Sequence, residues 1–119
     1  MNVQRKYILT VTLNPAIDKI FKVRHFSSGK NFIYDEAVFS AGGKGINVAR
    51  VLNQFGLKSI ATGFIGGLSG ECIRQYLREE EITFDFVPLQ GETRTNTTII
   101  DSQTNEITRI LEEGPWGKS

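Results

Sequence analysis

The sequence predicts an α/β fold built on a parallel sheet, and three observations indicate it. Three short apolar segments have the composition of buried strands, two segments of helical periodicity lie between them, and glycines stand at the strand-to-helix junctions. The order strand, helix, strand, helix, strand requires right-handed crossovers and parallel pairing. The 119 residues suffice for one domain, or for part of a larger one.

The first predicted strand covers residues 7–13 and leads into an excursion from the core. It is rich in β-branched residues and apolar on both faces, which is typical of a strand buried in a parallel sheet. The turn dipeptide Asn14-Pro15 ends this strand. Residues 17–23 and 32–40 then alternate polar and apolar side chains around a loop at 27–31. We therefore expect a hairpin-like pair of strands with one exposed face.

Two helices and two further core strands follow the first excursion. Residues 45–55 carry an apolar stripe at helical spacing, and a glycine directly follows them. Residues 59–65 predict the second core strand. Ser69 is expected to cap a helix that ends near residue 80, and residues 83–89 predict the third strand.

A second excursion closes the chain. Residues 95–101 and 106–111 alternate polar and apolar side chains around a turn at 102–105, which predicts a hairpin. Paired with the first excursion, it would form a four-stranded sheet that covers whatever the core binds. Three core strands and two helices leave bare sheet faces and an open edge, so we expect about half of the core to lie outside this chain.

Composition excludes several classes of function. Lys and Arg number 14 and Asp and Glu number 13, so the net charge of +1 favours neither nucleic acid nor a membrane surface as a partner. One cysteine, Cys72, and one histidine, His25, predict neither a disulfide nor a metal site. The N-terminus lacks the pattern of a secretion signal, and no apolar run approaches the ~20 residues of a membrane span. We expect a cytoplasmic protein.

The run from Ala41 to Arg50 combines glycines with a helix start, and it is the first candidate site. Uncovered backbone and unpartnered N–H groups make a cradle for an anion or a polyol, although a tight connecting loop would need the same glycines. Asn47 in the first helical turn could offer both a donor and an acceptor to a ligand, or serve only as a helix-start residue.

Two charged residues outside that run are further candidates. Asp18 lies just past the first core strand, where ligands of open α/β sheets gather, and its carboxylate can accept hydrogen bonds from two sugar hydroxyls. Its alternative role is a turn former. Arg94 lies at the root of the second excursion, and its guanidinium matches phosphate, although a surface arginine is the default interpretation.

These segments, in this order, resemble the pfkB (ribokinase-like) sugar kinases, in the branch of 1-phosphofructokinases and tagatose-6-phosphate kinases. The residues that carry the resemblance are Thr12-Leu13-Asn14-Pro15-Ala16-Ile17-Asp18, the run from Ala41 to Arg50, Gly63-Phe64-Ile65-Gly66-Gly67, Gly91-Glu92-Thr93-Arg94 and Glu113-Gly114-Pro115. The resemblance implies the N-terminal half of a ribokinase-like parallel-sheet core, about residues 6–15 and 40–93, with a four-stranded β lid, about 16–39 and 94–112.

The resemblance also implies a function and a role for each matching residue. The complete enzyme would transfer a phosphoryl group from ATP, with Mg²⁺, to fructose 1-phosphate or, alternatively, to tagatose 6-phosphate. Sugar hydroxyls would be held by the side chains of Asp18 and Asn47 and by the backbone of Gly42 and Gly43. The substrate phosphate would be held by Arg94 and Lys44, with Lys30 in the lid loop as a further candidate.

Two departures from the family pattern matter. Relatives often carry a phosphate-binding arginine near the position of Phe32, so either another cation substitutes or the register differs there. The family's Gly-Ala-Gly-Asp motif, which supplies the catalytic base and anion hole, does not occur in this sequence, and the nucleotide site lies with that motif. We therefore expect no catalytic residue in this chain and no activity from it alone. The ending Gly117-Lys118-Ser119 is similar to the end of a phosphate-binding loop but lacks the upstream glycine at the required spacing and any following helix.

Other interpretations stay open from sequence alone. The chain could be a non-catalytic module that binds sugar phosphate or dimerises through its lid, as relatives with such lids often do. It could also be a truncated or frameshifted product without a function of its own. The residues do not distinguish fructose 1-phosphate from tagatose 6-phosphate or fructose 6-phosphate.

Overall fold

The computed structural model describes residues 6–115, which form two helices and seven strands in two sheets. The terminal Gly117-Lys118-Ser119 segment lies outside the described residues. In chain order the elements are β1 (Ile8–Thr12), β2 (Ala16–Val23), β3 (Glu36–Gly42), α1 (Lys44–Gln54), β4 (Ser59–Ile65), α2 (Gly67–Glu79), β5 (Val87–Pro88), β6 (Arg94–Asp101) and β7 (Ile107–Ile110).

The core sheet is parallel, with strand order β1-β4-β5, as the alternation of strands and helices predicts. β1 and β4 pair along their length, from Ile8 opposite Ser59 to Thr12 opposite Gly63. The third strand is shorter than predicted: it consists of one bridge at Phe84 and the two residues of β5. Backbone hydrogen bonds to β4 nevertheless extend over the predicted range: the N–H groups of Asp85 and Leu89 donate to the carbonyls of Ala61 and Ile65 at 2.9 and 3.0 Å.

Both helices cover one face of the core sheet. Because β1-α1-β4 and β4-α2-β5 advance across the sheet in the same direction, right-handed crossovers place α1 and α2 on the same side. The hydrophobic core lies between these helices and the sheet. Its members include Ile46 and Ala49 of α1, Ala61 and Ile65 of β4, and Ile73 and Leu77 of α2. In the described part of the chain, neither helix is long and apolar enough to cross a membrane.

Residues 6–115 leave the opposite face of the core sheet without a covering layer. Leu9 and Val11 on β1 and Leu13 directly after it are 62%, 53% and 63% exposed, whereas Thr10 and Thr12 are buried on the helix side. The prediction that this strand is buried on both faces is therefore wrong for the described residues. Its apolar side chains face away from the only layer of helices that these residues supply.

The start of α2 differs from the prediction that Ser69 caps it. Ser69 lies inside the first turn, and the residue before the helix, Gly66, has no side chain to offer. Instead the carboxylate of Glu92, from the loop before β6, accepts the N–H groups of Leu68 and Ser69 at 3.1 Å each. The negative charge suits the positive end of the helix dipole, and it joins this loop to α2.

The two excursions form one four-stranded sheet with strand order β3-β2-β6-β7, which we call the lid sheet. β2 and β6 pair in parallel at its centre, from Ala16 opposite Arg94 to Val23 opposite Asp101. β3 and β7 pair antiparallel to them at the two edges. The predicted union of the excursions is confirmed. The strand predicted at 32–40 begins only at Glu36.

Asp101 ties the far end of the lid sheet together. Its side chain is buried and accepts the backbone N–H groups of Gln103, Phe26 and His25 at 2.9, 2.8 and 3.2 Å. These donors, with Gln103 the strongest, hold the pKa of Asp101 below its usual range. The carboxylate thus fastens the β2–β3 connection to the β6–β7 turn.

Candidate functional site

The site begins where α1 packs against the end of β1. A side chain at Gly45 would collide with Thr12 and would lie 2.6 Å from the carbonyl oxygen of Val11. A side chain at Gly43 would collide with the Thr12 methyl group, and Gly43 also has a φ of 132°, which other residues rarely adopt. These two glycines are therefore required by packing alone, as the connecting-loop interpretation held, and they bring the helix start directly over the strand end.

Asp18 and Gly42 meet on one face of the lid sheet. Asp18 on β2 pairs with Ser40 on β3 and with Asn96 on β6, while Gly42 ends β3 opposite Ala16. A Cβ added to Gly42 would collide with the Asp18 carboxylate, so that carboxylate lies across the bare backbone of Gly42. The structure thus joins two of the residues that the sequence predicts for sugar hydroxyls.

Burial raises the pKa of the Asp18 carboxyl above its ordinary value. The positive charge of Arg94, the side-chain hydrogen bond from Asn96 and the charge of Arg50 act in the opposite direction and offset only part of this effect. Asn96 is oriented for that bond because its Oδ1 already accepts the N–H of Glu112 at 3.2 Å. Hydroxyl donors of a ligand would stabilise the ionised form of this partly buried carboxylate further.

Arg94 and Lys44 line one cavity of about 350 Å³ beside the start of α1, together with Thr12, Asn14 and Gly43 among others. Arg94 donates from its Nη2 to the carbonyl of Asn14 at 2.9 Å, and its buried Nε has no hydrogen-bond partner among residues 6–115. Lys44 is exposed and makes no ion pair within the same residues. Two cations and a helix start thus share this space, which suits a phosphate.

The N-terminus of α1 itself remains available to an anion. Gly43 is its N-cap residue, and no side chain among the described residues caps it. Its first turn contains no acidic residue. The partial positive charge of the helix start is therefore uncompensated by residues 6–115, on the side where the cavity lies.

Asn47 and Lys30 are the two predicted residues outside these contacts. Asn47 is exposed in the first turn of α1, and its Oδ1 accepts a hydrogen bond from Nη1 of Arg50 at 2.8 Å. Lys30 is exposed in the β2–β3 connection, and no contact among the described residues joins it to the other candidates. Its role in phosphate binding stays a prediction.

Arg109 is a cation near the site that sequence reasoning missed. It lies on β7 opposite Thr98 and lines a second cavity, of about 260 Å³, with Asp18 and Asn96. Phe32, in contrast, packs against Phe26 with their rings 5.2 Å apart and lines an apolar cavity elsewhere on the lid sheet. The alternation of β7 places Arg109 on one face, but only the pairing of two distant hairpins brings that face to Asp18.

Residues 11–115 match the family model described as pfkB family carbohydrate kinase. The chain belongs to the pfkB family. This confirms the family that the sequence motifs predict, and the fold class with it. The site lies within the matched residues, because Asp18, Gly42 and Arg94 all fall between 11 and 115.

Named pfkB relatives include kinases of two phosphorylated sugars. The chain is 42% identical over 110 residues to 1-phosphofructokinase of Bacillus subtilis, covering 91% of this chain and 35% of that protein. It is 39% identical over 108 residues to tagatose-6-phosphate kinase of Staphylococcus epidermidis, covering 91% and 34%. The chain therefore spans about a third of the length of these curated relatives.

A solved structure shares the arrangement of both sheets. The structure of phosphofructokinase-2 from Escherichia coli in complex with fructose-6-phosphate superposes with a TM-score of 0.83 at 29% identity, covering 91% of this chain and 36% of that one. Residues 6–115 contain no group of three or more His, Cys, Asp or Glu side chains that could hold a metal ion.

Asp18→Asn is expected to stabilise the fold at neutral pH relative to the wild type. Because the folded-state pKa of Asp18 is raised, the protonated form is favoured by folding, and this contribution is lost as the pH rises through the folded-state pKa. Asparagine stays neutral, so the difference in unfolding midpoint, variant minus wild type, should grow from about pH 4 upward. Thermal unfolding followed by circular dichroism between pH 3 and 7 measures it.

Asp85→Asn is the matched control for Asp18→Asn. Asp85 is exposed, and its side chain has no partner among the described residues. Both variants are measured over the same pH range, and the effect of Asp18→Asn is taken relative to that of Asp85→Asn. A difference for Asp18→Asn that stays constant or shrinks as the pH rises would contradict the raised pKa.

Proposed function

We propose that this chain is the acceptor-binding part of an ATP-dependent sugar-phosphate kinase. The complete enzyme would use fructose 1-phosphate and yield fructose 1,6-bisphosphate, with tagatose 6-phosphate as the alternative acceptor. One observation carries the proposal: an Asp18 carboxylate lies across the bare backbone of Gly42, beside a cavity with two cations and an uncapped helix start. A sugar phosphate offers hydroxyl donors to the first part and an anion to the second.

The hydroxyl end of the substrate would lie against the lid sheet. Asp18 would accept hydrogen bonds from two hydroxyl groups, since an ionised carboxylate has two acceptor oxygens. The glycine backbone at Gly42 and Gly43 lets the sugar ring approach closely, and Asn47 would add a side-chain contact from α1. Charge-assisted bonds of this kind are stronger than neutral ones, so Asp18 would contribute most of the orientation.

The phosphate end would lie in the cavity beside α1. Arg94 keeps one donor on Asn14 and has its buried Nε unpartnered among the described residues, so an anion would satisfy a donor that is otherwise wasted. Lys44 would add a second charge, and the N–H groups of the α1 start would complete the clamp. Lys30 would contribute only if the β2–β3 connection moves toward the site.

This chain would position the acceptor rather than carry out the transfer. Phosphoryl transfer depends on holding the acceptor hydroxyl in line with the phosphate donor and on stabilising the charge that moves. The residues described here supply the first requirement for the acceptor. The base and the nucleotide site would come from residues outside this chain, and the uncovered side chains of Leu9, Val11 and Leu13 offer such residues an apolar surface. We therefore expect no turnover by this chain alone.

Arg94→Ala is expected to weaken binding of fructose 1-phosphate at least about tenfold, because a phosphate held away from water would lose a charge-assisted partner. Isothermal titration calorimetry with the purified chain measures the dissociation constant. Arg74→Ala is the control, since Arg74 is paired with Glu71 on α2. Wild-type binding together with normal binding by Arg94→Ala would overturn the phosphate assignment, and no wild-type binding at all would favour an inert product.

A second proposal concerns pairing of two copies through the lid sheet. On the face opposite Asp18, Phe21 contacts Tyr34 and Phe39 with ring centroids 5.3 and 5.8 Å apart, and Tyr34 and Phe39 are exposed. Such an aromatic surface is typical of an interface. We propose a homodimer through this surface.

Phe39→Glu is expected to convert a dimer into a monomer, because it places a charge within the aromatic surface. Val38→Glu is the control, since Val38 is similarly exposed on the same strand but faces the other way. Sedimentation velocity over a range of concentrations measures the oligomeric state. A wild-type chain that stays monomeric throughout, or a dimer that only Val38→Glu disrupts, would contradict the proposal.

A further inference from the structure

Arg50 connects three elements around the candidate site. It lies on α1 one turn after Asn47, and its guanidinium reaches beyond its own helix. Its Nε and Nη2 donate to the two carboxylate oxygens of Glu80, directly after α2, at 2.5 and 2.9 Å. Its Nη2 also donates to the carbonyl of Ala41 at 2.9 Å, and its Nη1 to Oδ1 of Asn47 at 2.8 Å.

The two-pronged pair with Glu80 fixes the plane of the guanidinium. The Arg50 side chain is only 26% exposed and that of Glu80 35%, so this pair is better shielded than an ordinary surface salt bridge. Two parallel N–H···O bonds also allow only one relative orientation. These two bonds already give both carboxylate oxygens of Glu80 a donor, so the ion pair does not need the further bonds that Arg50 makes.

The remaining donors of Arg50 are directed at the sugar side. Ala41 is the residue immediately before Gly42, so the bond to its carbonyl fixes the backbone from which the glycine run begins. The bond to Asn47 determines which end of that amide faces outward: a guanidinium has only donors, so it must face the amide oxygen. The Nδ2 donors of Asn47 are left for a ligand.

The charge of Arg50 reaches Asp18 as well. It is one of the groups that lower the pKa of that carboxyl against the larger effect of burial. The same guanidinium therefore touches Asn47 and Ala41 directly and acts on Asp18 through its field. All three lie at the hydroxyl-binding end of the candidate site.

We propose that Arg50 is a positioning residue of the acceptor site, fixed by Glu80, which makes Asn47 a hydrogen-bond donor to the substrate and holds the backbone that leads into Gly42. This inference rests on the proposed function for the identity of the substrate. It adds that Asn47 donates to the substrate rather than accepts, and that Glu80, directly after α2, supports the site by fixing Arg50.

A double-mutant cycle on fructose 1-phosphate binding tests the proposal. Arg50→Lys keeps the charge but has only three donors, on one nitrogen, for the four bonds that Arg50 makes, so we expect binding about tenfold weaker. In an Asn47→Ala background the same substitution should cost much less, because the side chain that Arg50 orients is already gone. Arg74→Lys, which alters an ion-paired arginine on α2, should leave binding unchanged. Additive effects of Arg50→Lys and Asn47→Ala would overturn the proposal.

A measurement without substrate separates this proposal from the proposed function. The side-chain amide of Asn47 should be ordered in the wild type by NMR relaxation and mobile in Arg50→Lys and in Glu80→Gln, while the exposed Asn31 serves as the mobile reference. An ordered Asn47 in a chain that binds no fructose 1-phosphate would refute the proposed function alone. An Asn47 amide as mobile as Asn31 in the wild type would refute the role of Arg50, whether or not the sugar phosphate binds.

Discussion

The close packing of the glycine run on the ends of β1 and β2 is the constraint on which this site depends. Gly43 and Gly45 let α1 start in contact with Thr12, and Gly42 leaves space for the Asp18 carboxylate. A methyl group at any of these positions would separate the helix from the strand or displace the carboxylate. The position of the helix start and the position of the Asp18 carboxylate therefore both depend on one close approach of the backbone.

The lid sheet begins beside the glycine run, so its strand pairing is tied to the position of that run. Ala16, at the root of β2, pairs with Gly42 on one side and with Arg94 on the other. The strand that presents Asp18 thus also fixes the position of the arginine that faces the cavity. Pairing of β2 with β6 in parallel joins segments some 80 residues apart, so Asp18 and Arg94 are brought together by long-range pairing rather than by either hairpin alone.

Local patterns predicted much of this arrangement, and contacts between distant segments explain what they missed. Periodicity and glycine punctuation predict the order of elements and the two excursions, because both depend on neighbouring residues. The cap of α2 comes instead from Glu92, more than 20 residues away, and Arg50 is held by Glu80 from another helix. Nothing local distinguishes these residues from solvated charges. Leu9 is likewise exposed because the described residues place helices only on the other face of the core sheet, which the sequence around Leu9 does not indicate.

Whether a phosphate binds in the cavity beside the glycine run can be measured at the side-chain Nε–H group of Arg94. This donor is buried and unpartnered among residues 6–115, so a bound phosphate should shift its ¹H–¹⁵N NMR signal strongly. We expect a saturable shift with fructose 1-phosphate and a much smaller one with fructose. An Arg94 signal that does not move while fructose 1-phosphate binds elsewhere on the chain would contradict the phosphate assignment.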